Sequence, residues 1–148
     1  QSFPKIFHDY ILSQAWSFKY DSKREGIGIH ADDARVNVNF WITDDSANMD
    51  PECGGMIVWK KMPNKDASFH EFNSPDAMEK MREDVKDIDY IRVPYKSNRV
   101  VIFNSKLYHV TDRIIFKKFK FQYRLDKFSF KETKDSNASF SFSLTSSS

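Results

Sequence analysis

The chain has little of what usually marks a secreted, membrane-bound or phosphate-binding protein. Among 148 residues there is one cysteine, Cys53, so an internal disulfide is excluded. A reducing, cytoplasmic setting is the matching expectation. No apolar run approaches the roughly 20 residues needed to span a bilayer as a helix, and no signal-peptide pattern is visible. The chain opens on Gln1, as a fragment or a processed form would. Only four glycines are present, and no phosphate-cradling loop is among them. Neither a Ser/His/Asp hydrolase arrangement nor a cysteine-based zinc spacing occurs. The net charge of +2 is too mild to argue for nucleic acid.

Aromatics, by contrast, are abundant. They make up 16% of residues, including 14 Phe, so a packed core is expected despite a mean hydropathy of -0.63. The length suits one domain. Most of the chain reads as strand. Ala15–Tyr20 alternates. In Arg35–Ile42, Val36, Val38, Phe40 and Ile42 share one face and Asn37, Asn39 and Trp41 the other. The first face reads as core. The second reads equally as a solvated surface or as the lining of a polar cavity. Met56–Trp59, Tyr90–Tyr95 and Arg99–Phe103 are further strands, the last two forming a hairpin across Lys96-Ser97-Asn98. Leu107–Thr111 and the alternating run Phe119–Phe130 follow.

One helix is expected. Ser74-Pro75-Asp76 supplies an N-cap, a proline at the first position and an acidic first turn. Ala77, Met78, Met81, Val85 and Ile88 then form an apolar stripe, read as packing rather than cofactor contact. Asp44–Glu52 and Lys60–Asn73 read as loops beside a pocket. Many short strands with one helical insertion point to a mainly β fold, a sandwich or jelly roll. We divide the chain into a folded domain, 1–130, and a Ser-rich, flexible tail, 131–148. The alternation of Phe140, Phe142 and Leu144 allows an edge strand within the tail.

The candidate chemistry lies in His30-Ala31-Asp32 and in a distant His109. A His-x-Asp pair alone is weak, and a surface histidine in a Gly-rich loop would explain His30. Its context is more specific, because Gly26–Ile29 reads as a turn and short strand leading in and Arg35–Ile42 as a strand leading away. Two imidazoles and one carboxylate on one face of a metal leave open positions, the pattern of non-haem Fe(II) oxygenases. Arg124, fifteen residues past His109, carries a planar fork suited to a carboxylate. His8, His70 and Tyr108 read as structural or surface residues. The nine Lys/Arg against three acids between residues 106 and 134 read mainly as a solvated strand face, and less as a field drawing in an acidic ligand.

Three ordered stretches resemble the 2-oxoglutarate/Fe(II)-dependent oxygenase superfamily, in particular bacterial members of marine type. They are His30–Thr43 (HADDARVNVNFWIT), Gly54–Trp59 (GGMIVW) and Asn98–Asp112 (NRVVIFNSKLYHVTD). The resemblance spans about Trp16 to Arg124. It implies a double-stranded β-helix, or jelly roll, with His30, Asp32 and His109 as catalytic iron ligands. It also implies that Arg124 pairs with the distal carboxylate of 2-oxoglutarate. The expected activity is hydroxylation of a small-molecule or peptide substrate, consuming dioxygen and releasing succinate and CO2. Neither membrane nor nucleic acid is an expected partner. The alternative is a jelly-roll module that binds a metal or ligand without catalysis.

Overall fold

The computed structural model describes residues 5, 8–20, 26–117, 123–132 and 141–143; the side chains at 19–20, 123–128, 130–132 and 141–143 lie outside the description. The protein is mainly β. Strands β1 (Tyr10–Tyr20), β2 (Val36–Trp41), β3 (Met56–Trp59), β4 (Tyr90–Val93), β5 (Arg99–Asn104), β6 (His109–Thr111), β7 (Tyr123–Glu132) and β8 (Ser141–Ser143) build two sheets. One runs β5-β2-β7-β1-β8 and the other β4-β3-β6. All pairings are antiparallel except β1 with β8. The β8 edge strand coincides with the Phe142 alternation in the tail; residues 133–140 and 144–148 lie outside the description.

Side chains from both sheets meet in one core. Trp41 of β2 packs with Met56 and Val58 of β3, Tyr95 and Phe116, flanked by Phe18 and Phe103. Burying these apolar surfaces stabilises by roughly 25 cal/mol per Å2. The face of β2 that carries Asn37, Asn39 and Trp41 is therefore the one turned toward the second sheet. Asn37 is fully buried, so the solvated reading of that face fails. Val38, on the opposite face, is also buried, whereas Ile42 lies just past the strand and is exposed.

The expected hairpin between β4 and β5 does not form. β4 pairs with β3 in the smaller sheet, and β5 pairs with β2 in the larger. The connection crosses between sheets because Pro94 removes a ladder donor and Tyr95 inserts into the core. The Tyr95 hydroxyl donates to the Thr43 carbonyl at 2.5 Å. The turn is then tied across the fold, with Asn98 N–H donating to Trp41 O at 2.6 Å and Ser97 N–H to Asp45 Oδ1 at 2.6 Å. Asn98 takes φ +60°, a value asparagine tolerates better than most residues.

Entry to β3 needs both glycines before it. Gly54 has φ +81°, and a Cβ on Gly55 would stand 1.9 Å from the Val93 carbonyl oxygen. That close approach sets β3 against β4.

The helical insertion holds two helices. Ser74 caps a short turn, Pro75–Ala77, by accepting from Ala77 N–H at 3.3 Å, and α2 (Met78–Val85) continues from it. Met81 and Val85 are buried against Ile29, Ala31 and Tyr108, as the stripe predicts. The segment Lys60–Asn73, read as a loop, instead contains α1 (Phe69–Asn73). Its signal is Ser68-x-x-Glu71, where the Glu71 carboxylate accepts from Ser68 N–H and Oγ–H at 2.8 and 2.9 Å. No described helix is long and apolar enough to cross a membrane.

Candidate metal centre

His30 and His109 are joined by main-chain hydrogen bonds in an isolated antiparallel bridge. Asp32 is then placed by its own N–H, which donates to Ser105 O at 3.0 Å. Between them, Ala31 is locked to α1. Its N–H donates to Phe72 O at 2.9 Å, and its carbonyl accepts from Asn73 Nδ2 at 2.6 Å. Residues 79 positions apart in sequence are thus held by backbone, which makes the side-chain arrangement rigid.

The three side chains converge. One donor atom from each of His30, Asp32 and His109 lies within 4.8 Å of the others. His30 Nε2 stands 3.7 Å from Asp32 Oδ1, and His109 Nε2 stands 3.4 Å from Asp32 Oδ2. The imidazole rings are tilted at 52° with centroids 4.2 Å apart. Phe103 packs edge-on against His109 at 4.9 Å, and the His109 side chain is 4% exposed.

The far nitrogens decide how the near ones can act. His30 Nδ1 donates to Gly28 O and His109 Nδ1 to Leu107 O, both at 2.8 Å. A carbonyl oxygen only accepts, so each Nδ1 carries a hydrogen, and a ring in its neutral form leaves its Nε2 lone pair toward Asp32. Cis ligands on an ion at about 2.1 Å stand about 3 Å apart, so the two imidazole–carboxylate gaps would close by roughly half an ångström around an ion. Two imidazoles and a carboxylate suit a divalent transition metal.

Asp32 is held by a buried relay. Asn37 Nδ2 donates to Asp32 Oδ2 at 2.5 Å, and Ser129 Oγ donates to Asn37 Oδ1 at 2.5 Å. Ser13 Oγ in turn donates to Ser129 O at 3.0 Å. Asn37 and Ser129 are both fully buried and directly opposite each other on β2 and β7. Sequence reasoning placed Asn37 on a polar face but did not pair it with Asp32, and it missed Ser13 and Ser129 altogether. An asparagine five residues beyond an aspartate is no signal until the sheet brings them together.

Arg124 lies on β7 with Lys19 of β1 as its backbone partner; its side chain is outside the described residues. Three residues on, Lys127 pairs with Trp16 of β1 on one side and Asn39 of β2 on the other. His8 is exposed beside Asp9, and His70 lies exposed on α1. Tyr108 is 2% exposed and turns to the α2 side. Its hydroxyl meets Asp84 at 3.4 Å. Burial, then the Asp84 charge, pushes its pKa up to about 12, so it serves as a neutral core residue.

Two cavities meet at Asp32. One, of about 260 Å3, is lined by Trp16, Phe18, Ile29, His30 and Met78 as well as Asp32. The other, of about 430 Å3, is lined by Asp32, Arg35, Met62, Lys65, Phe72 and Lys106. The Lys60–Asn73 segment contributes to both, whereas Asp44–Glu52 contributes to neither.

No family model and no curated protein matches the chain. Among solved structures it is similar to an N-substituted L-amino acid dioxygenase from Burkholderia ambifaria AMMD. The identity is 14% and the TM-score 0.49, over 79% of this chain and 52% of that one. The same dioxygenase in complex with alpha-KG gives 14% identity and a TM-score of 0.46, over 79% of this chain and 50% of that one. The chain thus spans about half the length of these structures.

Proposed function

We propose that this chain is a 2-oxoglutarate- and Fe(II)-dependent dioxygenase of double-stranded β-helix (jelly-roll) fold. It would hydroxylate a small-molecule or peptide substrate and release succinate and CO2. The observation that carries the reading is the donor set itself. Two imidazole Nε2 atoms and one carboxylate converge; each Nδ1 is satisfied by a backbone carbonyl, and Asn37 donates to the Asp32 oxygen that faces His109.

In this reading His30, Asp32 and His109 would hold the iron. A bound ferrous ion with 2-oxoglutarate and dioxygen supplies the oxidation. The protein's own contribution is placement and exclusion. The Gly28 and Leu107 carbonyls keep both imidazoles in the ligating tautomer. The Asn37 amide keeps Asp32 turned toward the histidines. Phe103 closes one side of His109 against water. Arg124 would bind the far carboxylate of the co-substrate; Lys127, which pairs with the inward-facing Asn39, and Arg99 are the next residues to test. Residues 1–130 form the catalytic domain, to which the tail, 131–148, adds the end of β7 and the edge strand β8, in a cytoplasmic protein.

The test is an anaerobic titration with Fe(II) and 2-oxoglutarate, watched for the metal-to-ligand charge-transfer band of a chelated keto acid. Appearance of the band, and succinate formation on admitting air, support the reading. Fe(II) binding with neither signal points to the non-catalytic module.

A further inference from the structure

Resting on that functional reading, we propose that the 430 Å3 cavity beside Asp32 is the substrate site and selects a small organic anion, a carboxylate or a phosphate. Its walls are fixed by the same hydrogen bonds that place the metal ligand. Asp32 N–H donates to Ser105 O, and Ser105 N–H donates back to Arg35 O at 3.2 Å. This seats Arg35 and Lys106 on one wall. The facing wall, Met62 to Ala67, is anchored by Tyr108 N–H to Lys61 O at 2.9 Å and by Ala67 N–H to Asn64 O at 3.0 Å. The size falls within the roughly 300–1,000 Å3 of small-molecule sites.

The charge is lopsided. Arg35, Lys65 and Lys106 face the cavity against Asp32 and Asp33. Neither Lys65 nor Lys106 forms an ion pair with a described residue. Once a divalent cation engages Asp32, Asp33 is the one lining acid left to oppose the three cations. A ligand anion held by Lys65 and Lys106 then gains charge-assisted hydrogen bonds. Met62, Pro63 and Phe72 offer apolar contact for its carbon skeleton. Asp32 is the candidate ligand that lines this cavity, so an anchored anion would lie on the carboxylate side of the metal centre. Metal and anion must also favour one another's binding by the same factor.

The experiment is a calorimetric titration of the full chain with propionate, inorganic phosphate and neutral propionamide. It is run at fixed ionic strength, without metal and with anaerobic Fe(II). Saturable binding of propionate or phosphate is expected, with none of propionamide. The tighter of the two anions identifies the headgroup. K65Q/K106Q should weaken anion binding by roughly tenfold or more and leave Fe(II) affinity measured without anion unchanged. R124A should keep anion binding, which separates this cavity from the co-substrate anchor. Fe(II) should tighten anion binding in the parent chain. Equal anion binding by K65Q/K106Q, or no saturable binding at all, overturns the site. Lysine-dependent binding indifferent to Fe(II) overturns its role as the substrate site. The metal-free arm tests the cavity alone, so a chain that fails to bind Fe(II) would sink the oxygenase reading separately.

Discussion

His30 and His109 exchange both of their main-chain hydrogen bonds. His30 N–H donates to His109 O at 3.0 Å, and His109 N–H donates to His30 O at 2.9 Å. The two imidazoles are therefore paired by backbone, independently of their side chains. An ion bound between them would require no change in this backbone pairing.

That independence gives the first prediction. His30→Ala and His109→Ala should abolish stoichiometric Fe(II) binding while leaving the circular dichroism spectrum and cooperative unfolding largely intact. Isothermal titration checks the metal and thermal melts check the fold. Parent-like iron affinity in either variant would remove the assignment.

The relay behind Asp32 should tune the metal without touching it. Asn37→Ala should weaken Fe(II) binding by roughly 10–100-fold, the usual effect of losing a partner that orients a ligand. Ser129→Ala should weaken it less. Ser129 acts through Asn37, so the double variant should match Asn37→Ala rather than sum the two. Additive losses in a metal titration would mean that the two residues act separately.

Anchoring of the co-substrate is read from variants at two positions of β7. Arg124→Lys should weaken 2-oxoglutarate binding and Arg124→Ala should weaken it further. The full loss is about 2–5 kcal/mol for a buried charge-assisted contact, or roughly 30-fold or more. Fe(II) affinity should not change. If Lys127→Ala shows the loss and Arg124→Ala does not, the anchor is Lys127.

Acid should loosen α1 first. The hydrogen bonds from Ser68, and then Lys80, lower the Glu71 pKa from 4.5 to about 2. A lowered folded-state pKa stabilises above the unfolded value and is lost as pH falls through the folded one. The support from Glu71 is therefore complete above about pH 4.5 and fades toward pH 2. The melting-temperature gap between the parent and Glu71→Gln should close across that window. Because α1 holds Ala31 between His30 and Asp32, the protection factor of the Ala31 amide should fall over the same range. A gap that stays constant with pH would show that Glu71 contributes nothing through its charge.

Much of the fold was legible in local pattern. β3 was delimited to the residue, because Met56–Trp59 sits between glycines and a polar loop. The α2 stripe and its Ser74 cap were readable from spacing alone. The Ser68-x-x-Glu71 box was equally readable and was overlooked within a polar segment. The β4–β5 hairpin was misread because a turn signal at Asn98 says that the chain reverses, not which sheet receives it.

The amino-acid sequence by itself determined the donor types of the candidate site, most of the strands around it and the alternation that gives β2 two distinct faces. Only the tertiary structure decided which face turns inward, which strands become neighbours, and that Ser129 reaches Asp32 through Asn37. Periodicity is a local property of the backbone, visible within a few residues. Burial and hydrogen-bond partnership depend on segments 90 or so positions apart, as Ser129 and Asn37 are, and they exist only once the sheets have packed.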